Sequence, residues 1–144
     1  MHETNKSAHL DIKPDNFVIT EEKQVKLIDM AFCVSADKPT FSINGSSIYM
    51  APEVQESKIS GMPYDPIKAD IFSLGMLIFI IYFGSPPFEQ PNSDCKFFRF
   101  WLNRGAEKFF QDHPTTQKMY AEGAIPRKFI TVLSKMMAVD PMDR

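Results

Sequence analysis

The chain has 144 residues, of which 44% are hydrophobic and 24% charged. That balance suits one globular domain and excludes an intrinsically disordered chain. A net charge of −2 supplies no basic field, so nucleic acid is not an expected partner.

Met1 to Ala8 is short and polar, without the apolar run of a secretory signal. His9-Leu10-Asp11-Ile12-Lys13-Pro14-Asp15-Asn16 follows, with the pattern H-x-D-x-K-P-x-N. Asp11 offers a carboxylate that can accept a proton, Lys13 a fixed positive charge, and Asn16 a carbonyl oxygen for a hard cation. Pro14 lacks an N–H and pushes Lys13 away from helix, so the stretch is a loop whose polar groups can converge. A base, a cation and a ligand oxygen in one turn suit phosphoryl transfer, where positioning and charge neutralisation do most of the work.

Phe17-Val18-Ile19-Thr20 and Val25-Lys26-Leu27-Ile28 read as two strands around the polar turn 21–24. The hairpin they form brings Asn16 and Asp29 to one edge, an amide and a carboxylate of the kind Mg²⁺ uses. Ala31 to Ser47 is loop-like. Asp65 to Phe83 reads as an apolar helix stopped by Gly84-Ser85-Pro86-Pro87. Its most apolar part spans about thirteen positions, short of the roughly twenty a bilayer needs, so a buried core helix is expected rather than a membrane span.

Ser93-Asp94 is expected to cap a further helix through about Leu102, whose Phe97, Phe98, Trp101 and Leu102 read as core. Glu107 to Asp112 adds a turn. Pro126 opens a helix over 127–137, with Phe129, Ile130, Leu133, Met136 and Met137 on its apolar face. His2 and His113 have no partner that the sequence names. Cys33 and Cys95 lack C-x-x-C or metal spacing and read as thiols of a reducing compartment, the cytoplasm or nucleus.

The stretch 9–16 resembles the catalytic loop of eukaryotic protein kinases, H-R-D-L-x-x-x-N. Three further matches follow in the family's order: Asp29-Met30-Ala31 for D-F-G, Ala51-Pro52-Glu53 for A-P-E, and Asp70-Ile71-Phe72-Ser73-Leu74-Gly75 for D-x-W-S-x-G. Asp140-Pro141-Met142-Asp143-Arg144 is similar to the family's D-P-x-x-R. The resemblance implies one partial kinase domain over 1–144: an α+β, protein-kinase-like C-terminal lobe, mainly helical with a short β-hairpin and the N-lobe absent.

It further implies a Ser/Thr-specific kinase that uses ATP and Mg²⁺ on a protein substrate, with no nucleic-acid or membrane partner. Asp11 would be the base and Lys13 the neutralising charge, while Asn16 and Asp29 would hold the metal. Ser46 would bond the catalytic Asp and Lys, as a Thr does in that class. Asp70 would anchor the loop backbone around His9, and Arg144 would pair with Glu53. Ser42, Ser46 and Ser47 read either as phosphorylation positions or as ordinary loop serines.

Three departures stand out. Leu10 replaces the Arg that gathers an activation-loop phosphate, Met30 replaces Phe with a group that can still pack, and Ala31 replaces a Gly that is free to adopt positive φ. No Gly-rich loop or strand lysine is present among these residues. The expectation is therefore a fragment inactive alone, completed by a missing N-lobe or a partner chain. The rival reading is a non-catalytic, pseudokinase-type interaction module. A metallohydrolase built on His9 and Asp11 lacks ligand spacing elsewhere.

Overall fold

The computed structural model describes residues 1–144, and about half of them are helical. The elements are α1 (His2–Asn5), β1 (Ser7–Ala8), β2 (Phe17–Ile19), β3 (Val25–Leu27), β4 (Val34–Ser35), α2 (Pro52–Ser60), α3 (Pro66–Phe83), α4 (Lys96–Asp112), α5 (Gln117–Ala121) and α6 (Arg127–Met136). Two 3₁₀ turns, Pro14–Asn16 and Pro141–Asp143, complete them.

β2 and β3 form the expected hairpin, antiparallel with Phe17 opposite Leu27 and Ile19 opposite Val25. Lys23 takes a left-handed φ of 60° in its turn, and the Gln24 carbonyl accepts the Thr20 N–H at 2.9 Å. β1 and β4 pair as a second antiparallel sheet, Ser7 opposite Ser35 and Ala8 opposite Val34. Sequence reading leaves β1 unassigned and β4 in loop, because strands of two residues carry no alternation to detect.

α3 is the core element. Asp65 caps it by accepting the N–H groups of Ile67 and Lys68 at 2.9 and 3.3 Å, relieving two orphan donors of the first turn. Gly84, at φ 79°, ends it by donating to the Ile80 carbonyl. The helix is long and apolar enough to cross a bilayer by composition, with mean hydropathy 1.7, yet half of it is buried inside the fold. Phe72, Met76 and Phe79 have no exposed surface. Burying each such side chain contributes about 1.5–3 kcal/mol.

α3 packs against α6, and Gly75 permits the approach. A Cβ there would lie 2.7 Å from Met137 Cγ and 3.0 Å from Met136 Cβ. From α6, Ile130 and Leu133 are buried, as is Met137 just beyond its end. Pro126 precedes the helix as an extended cap residue rather than sitting in its first turn.

The helix expected to end near Leu102 runs on to Arg104, where Gly105 (φ 75°, ψ 167°) kinks it, and the turn expected over 107–112 follows as the second half of α4, to Asp112. Its start differs too. Neither Ser93 nor Asp94 caps it; the Asn92 side chain accepts the N–H groups of Asp94 and Cys95 at 3.1 and 3.3 Å. The kink turns both halves inward. Trp101 meets Phe109 edge-on at 5.1 Å, and His113 stacks on Phe109 at 4.6 Å, fully inside this aromatic layer.

α2 has no counterpart among the expected elements. It buries only Val54 and Ser57, so it shows no apolar period. Its ends are nevertheless written in sequence. Pro52 occupies the first position, and Gly61, at φ 68°, follows the last.

Candidate active site

The loop 9–16 is hung on α3. Asp70, 1% exposed, accepts the His9 N–H on Oδ2 at 2.7 Å and the Leu10 N–H on Oδ1 at 2.8 Å. His2 Nε2 adds a third contact to Oδ2 at 2.8 Å. A buried carboxylate without partners costs several kcal/mol, and these donors offset that cost. The two backbone bonds also hold Leu10 in a left-handed φ of 62°, which a residue with a Cβ avoids by about 1–2 kcal/mol. Leu10 is buried in the apolar cluster with Tyr64, Val54 and Ala69.

His9 joins this loop to the end of β3. Its Nδ1 accepts the Asp11 N–H at 3.2 Å, which leaves Nε2 to donate to the Ile28 carbonyl at 3.0 Å. The ring is completely buried.

Asp11 is the focus of the donors. Oδ2 receives Lys13 Nζ at 2.7 Å and Asn16 Nδ2 at 3.0 Å. Oδ1 receives the Ser46 N–H at 3.1 Å and Ser46 Oγ at 3.4 Å. Burial pushes this carboxyl up, but the Lys13 hydrogen bond and charge, with Asn16 and Ser46, outweigh it and hold it below the usual carboxylate range. Lys13 is correspondingly raised, first by its bond to Asp11, with Asp15 and Asp29 adding to the field. Ser46 reaches Asp11 but makes no bond to Lys13.

Asn16 closes the 3₁₀ turn begun by Pro14. Its Nδ2 donates to the Asp11 carbonyl at 2.7 Å as well as to the carboxylate, so its Oδ1 is left without a hydrogen bond. The Asn16 carbonyl accepts the Ile28 N–H at 2.8 Å, which brings Asp29 alongside. Asp29 is exposed, and its Oδ1 accepts only the Ala31 N–H at 3.2 Å. One free amide oxygen and one exposed carboxylate fit a cation that keeps several waters, as Mg²⁺ does. No three His, Cys, Asp or Glu side chains converge on a metal position, at this site or elsewhere.

Two of the departures act differently from expectation. The positive φ falls on Asp29, at 63°, and Ala31 is not among the left-handed residues. Aspartate tolerates that region through its short polar side chain, so the alanine carries no such penalty. Met30 is 51% exposed and packs little, with Cys33 Sγ donating to its sulfur at 3.4 Å.

The segment 29–53 meets the loop at Gly45. At φ 94°, a Cβ there would lie 2.3 Å from the Leu10 carbonyl oxygen and 3.3 Å from Asp11 Oδ1. Only glycine lets the two backbones approach so closely. Past Ser46, Ser73 Oγ of α3 donates to the Tyr49 carbonyl at 2.8 Å. The end of the segment is locked by Arg144, whose side chain is fully buried and pairs in parallel with Glu53 at 2.6 and 2.8 Å.

Asp11, Lys13, Asn16, His9, Ser46 and Asp70 thus form one connected network, with Asp29 at its edge and Glu53–Arg144 beneath the segment. His2, Tyr64 and Ser73 are the residues that sequence reasoning missed. Each acts through a side-chain contact far along the sequence, and only Ser73 carried a hint, as the serine of the 70–75 match. His113 lies in the aromatic core, away from this network.

The sequence matches the protein kinase domain family over residues 1–144. It is 31% identical to maternal embryonic leucine zipper kinase of Xenopus laevis over 141 residues, 95% of this chain and 19% of that protein. It is 31% identical to an Aurora kinase of Eremothecium gossypii over 146 residues, 100% of this chain and 34% of that protein. With testis-specific serine/threonine-protein kinase 1 of Homo sapiens it shares 35% identity over 92 residues, 59% of this chain and 24% of that protein. The chain therefore spans about a third or less of the length of these curated relatives.

Proposed function

The chain belongs to the protein kinase domain family, and from that premise we propose that it forms the C-terminal lobe of a serine/threonine-specific kinase domain. The domain would move the γ-phosphoryl group of ATP to a Ser or Thr hydroxyl of a protein substrate. The observation that carries this reading is the Asp11 carboxylate, kept ionised by Lys13 at 2.7 Å and aligned by Asn16 and Ser46.

In this reaction Asp11 accepts the hydrogen bond, and then the proton, of the acceptor hydroxyl. The hydroxyl oxygen bonds to the γ-phosphorus as the bond to the ADP oxygen breaks. A depressed carboxyl is a weak base, which suits a loose transition state in which orientation matters more than early proton removal. Lys13 places its ammonium where negative charge gathers on the phosphoryl oxygens. Asn16 Oδ1 and the Asp29 carboxylate would hold Mg²⁺, which supplies charge neutralisation to the phosphates when bound.

The choice of Ser/Thr over Tyr is supported by Lys13 and Ser46, the two side chains that, with Asn16, crowd Asp11 from opposite oxygens. A polypeptide substrate is supported by an open cleft of about 790 Å³ beside Gly45, lined by Ile43, Ser47, Met50, Lys58, Ile59 and Leu102. Two partly buried free thiols suit the cytoplasm or nucleus.

The test joins this chain to the nucleotide-binding lobe of a relative and measures Mg²⁺-dependent transfer of labelled phosphate to Ser, Thr and Tyr peptides. Transfer to Ser or Thr, abolished in Asp11→Asn, is expected. A well-folded protein that transfers nothing would assign the chain to the interaction-module reading instead.

A further inference from the structure

Residues 41–45 have no regular secondary structure, yet they deliver Ser46 to Asp11. What holds them is narrow. Thr40 exchanges both backbone hydrogen bonds with Tyr64, at 2.9 and 3.0 Å. The Tyr64 hydroxyl donates to the Ser42 carbonyl, and Ser42 N–H turns back onto Thr40 Oγ1 at 3.2 Å. No other hydrogen bond ties residues 41–45 to the rest of the chain.

Tyr64 is itself firmly placed. It is 5% exposed, its ring lies in the apolar cluster with Leu10, Val54 and Ala69, and it immediately precedes the helix cap Asp65. Burial pushes the phenol up to about 12, so it remains a donor at any working pH. Six positions on, Asp70 holds the backbone of His9 and Leu10. The start of α3 therefore grips both strands of the site: one side chain holds the loop that bears Asp11, the other holds the segment that bears Ser46.

We propose that Tyr64 is a positioning residue whose hydroxyl sets the register of Ser46 on Asp11, tethering the segment through a backbone carbonyl without any phosphate. Its consequence for catalysis rests on the reading of Asp11 as the base; the tether itself does not. Leu10 fits this arrangement. Where a cation could gather a phosphate, this chain places an apolar side chain in the same buried cluster as the tyrosine that does the holding.

Tyr64→Phe keeps the ring and removes only the hydroxyl. The experiment is amide NMR on the full 144-residue chain. In the variant, exchange at the Ser46 amide, which the Asp11 carboxylate protects, should rise about threefold to tenfold, the worth of one ordinary hydrogen bond. The Ser46 amide proton, deshielded by its carboxylate acceptor, should move upfield. Phe72 and Met76 in the interior of α3 should not change. An unmoved Ser46 signal with unchanged exchange would overturn the proposal. So would a rise that is equally large inside α3, which would make Tyr64 a packing residue only. None of these readouts needs phosphate transfer, so a loosened Ser46 in an inactive protein upholds the tether while counting against the proposed reaction.

Discussion

The guanidinium of Arg144 meets the carboxylate of Glu53 in two parallel hydrogen bonds of 2.6 and 2.8 Å, joining residues 91 apart in sequence. Its remaining donors reach the carbonyls of Ala138, Lys68 and Val139, and its central carbon lies over the Phe72 ring, 4.9 Å from the centroid. Removing one member of a buried pair strands the other, at a cost of about 3–5 kcal/mol. Arg144→Ala should therefore lower the denaturation midpoint markedly, with Glu53→Ala nearly as damaging. An unchanged melting temperature in either variant would rule the pair out as a stabilising link.

Gly45→Ala tests the close approach of segment and loop. The left-handed backbone alone costs about 1–2 kcal/mol with a Cβ. The added carbon would also sit 2.3 Å from a carbonyl oxygen, so the segment must shift. Phosphate transfer in the joined domain should fall far more than stability does, because Ser46 moves off Asp11 while α3 and the aromatic core are untouched. Wild-type transfer rates in this variant would sink the idea that the contact matters.

His113 should give the fold a pH slope. Burial pulls its pKa below the ordinary 6.5, and the neighbouring Pro87 backbone offsets this only in part. Below 6.5 the unfolded chain takes up a proton that the folded chain resists, so stability is full above that value and declines as pH falls through it. Asp11 acts in the same direction at lower pH. Its depressed pKa contributes stability above the unfolded value of 3.8, lost as pH falls through the folded one. In His113→Phe, the dependence of urea midpoints on pH just below 6.5 should flatten. A slope that persists there would point to another group.

Ser42 offers a contrast between side chain and backbone. The Tyr64 hydroxyl holds its carbonyl, which modification of the hydroxyl leaves intact. Leu10 provides no positive charge to gather a phosphate. Ser42→Glu in the joined domain should accordingly leave the transfer rate within about twofold, since no charge-assisted bond forms. A large gain would mean that a cation elsewhere reaches the segment.

What the sequence made visible follows from the range of each signal. The hairpin was legible because β-branched runs flank a polar turn, and α3 because Asp65-Pro66 opens it and Gly84 closes it. α2 was missed for want of an apolar period, whereas both halves of α4 were legible because the break at Gly105 falls between the expected stretches, to about Leu102 and over 107–112. Asp11, Lys13 and Asn16 stood out because they share one turn. His2 on Asp70 and Tyr64 on Ser42 join residues 68 and 22 positions apart, and no local spacing encodes such contacts. Ala31 was charged with a strain that the chain places on Asp29, two residues earlier.

Asp29 also carries the prediction that decides the chemistry. It stands at the end of β3 in a left-handed conformation, exposed, with one oxygen on the Ala31 N–H and the other unengaged. Asparagine tolerates the same backbone and keeps one oxygen for the same N–H, so Asp29→Asn should fold as the parent does. What it loses is the one carboxylate that, beside Asn16 Oδ1, can neutralise a divalent cation. In the joined domain, transfer to Ser or Thr should fall by a factor on the order of 10² or more, and the Mg²⁺ concentration for half-maximal rate should rise. Titrating the rate against Mg²⁺ separates the possibilities. A lower rate with an unchanged Mg²⁺ requirement would remove Asp29 from the metal site and assign it to the loop geometry alone. A parallel loss of thermal stability would show that its turn, rather than its charge, is what the fold uses.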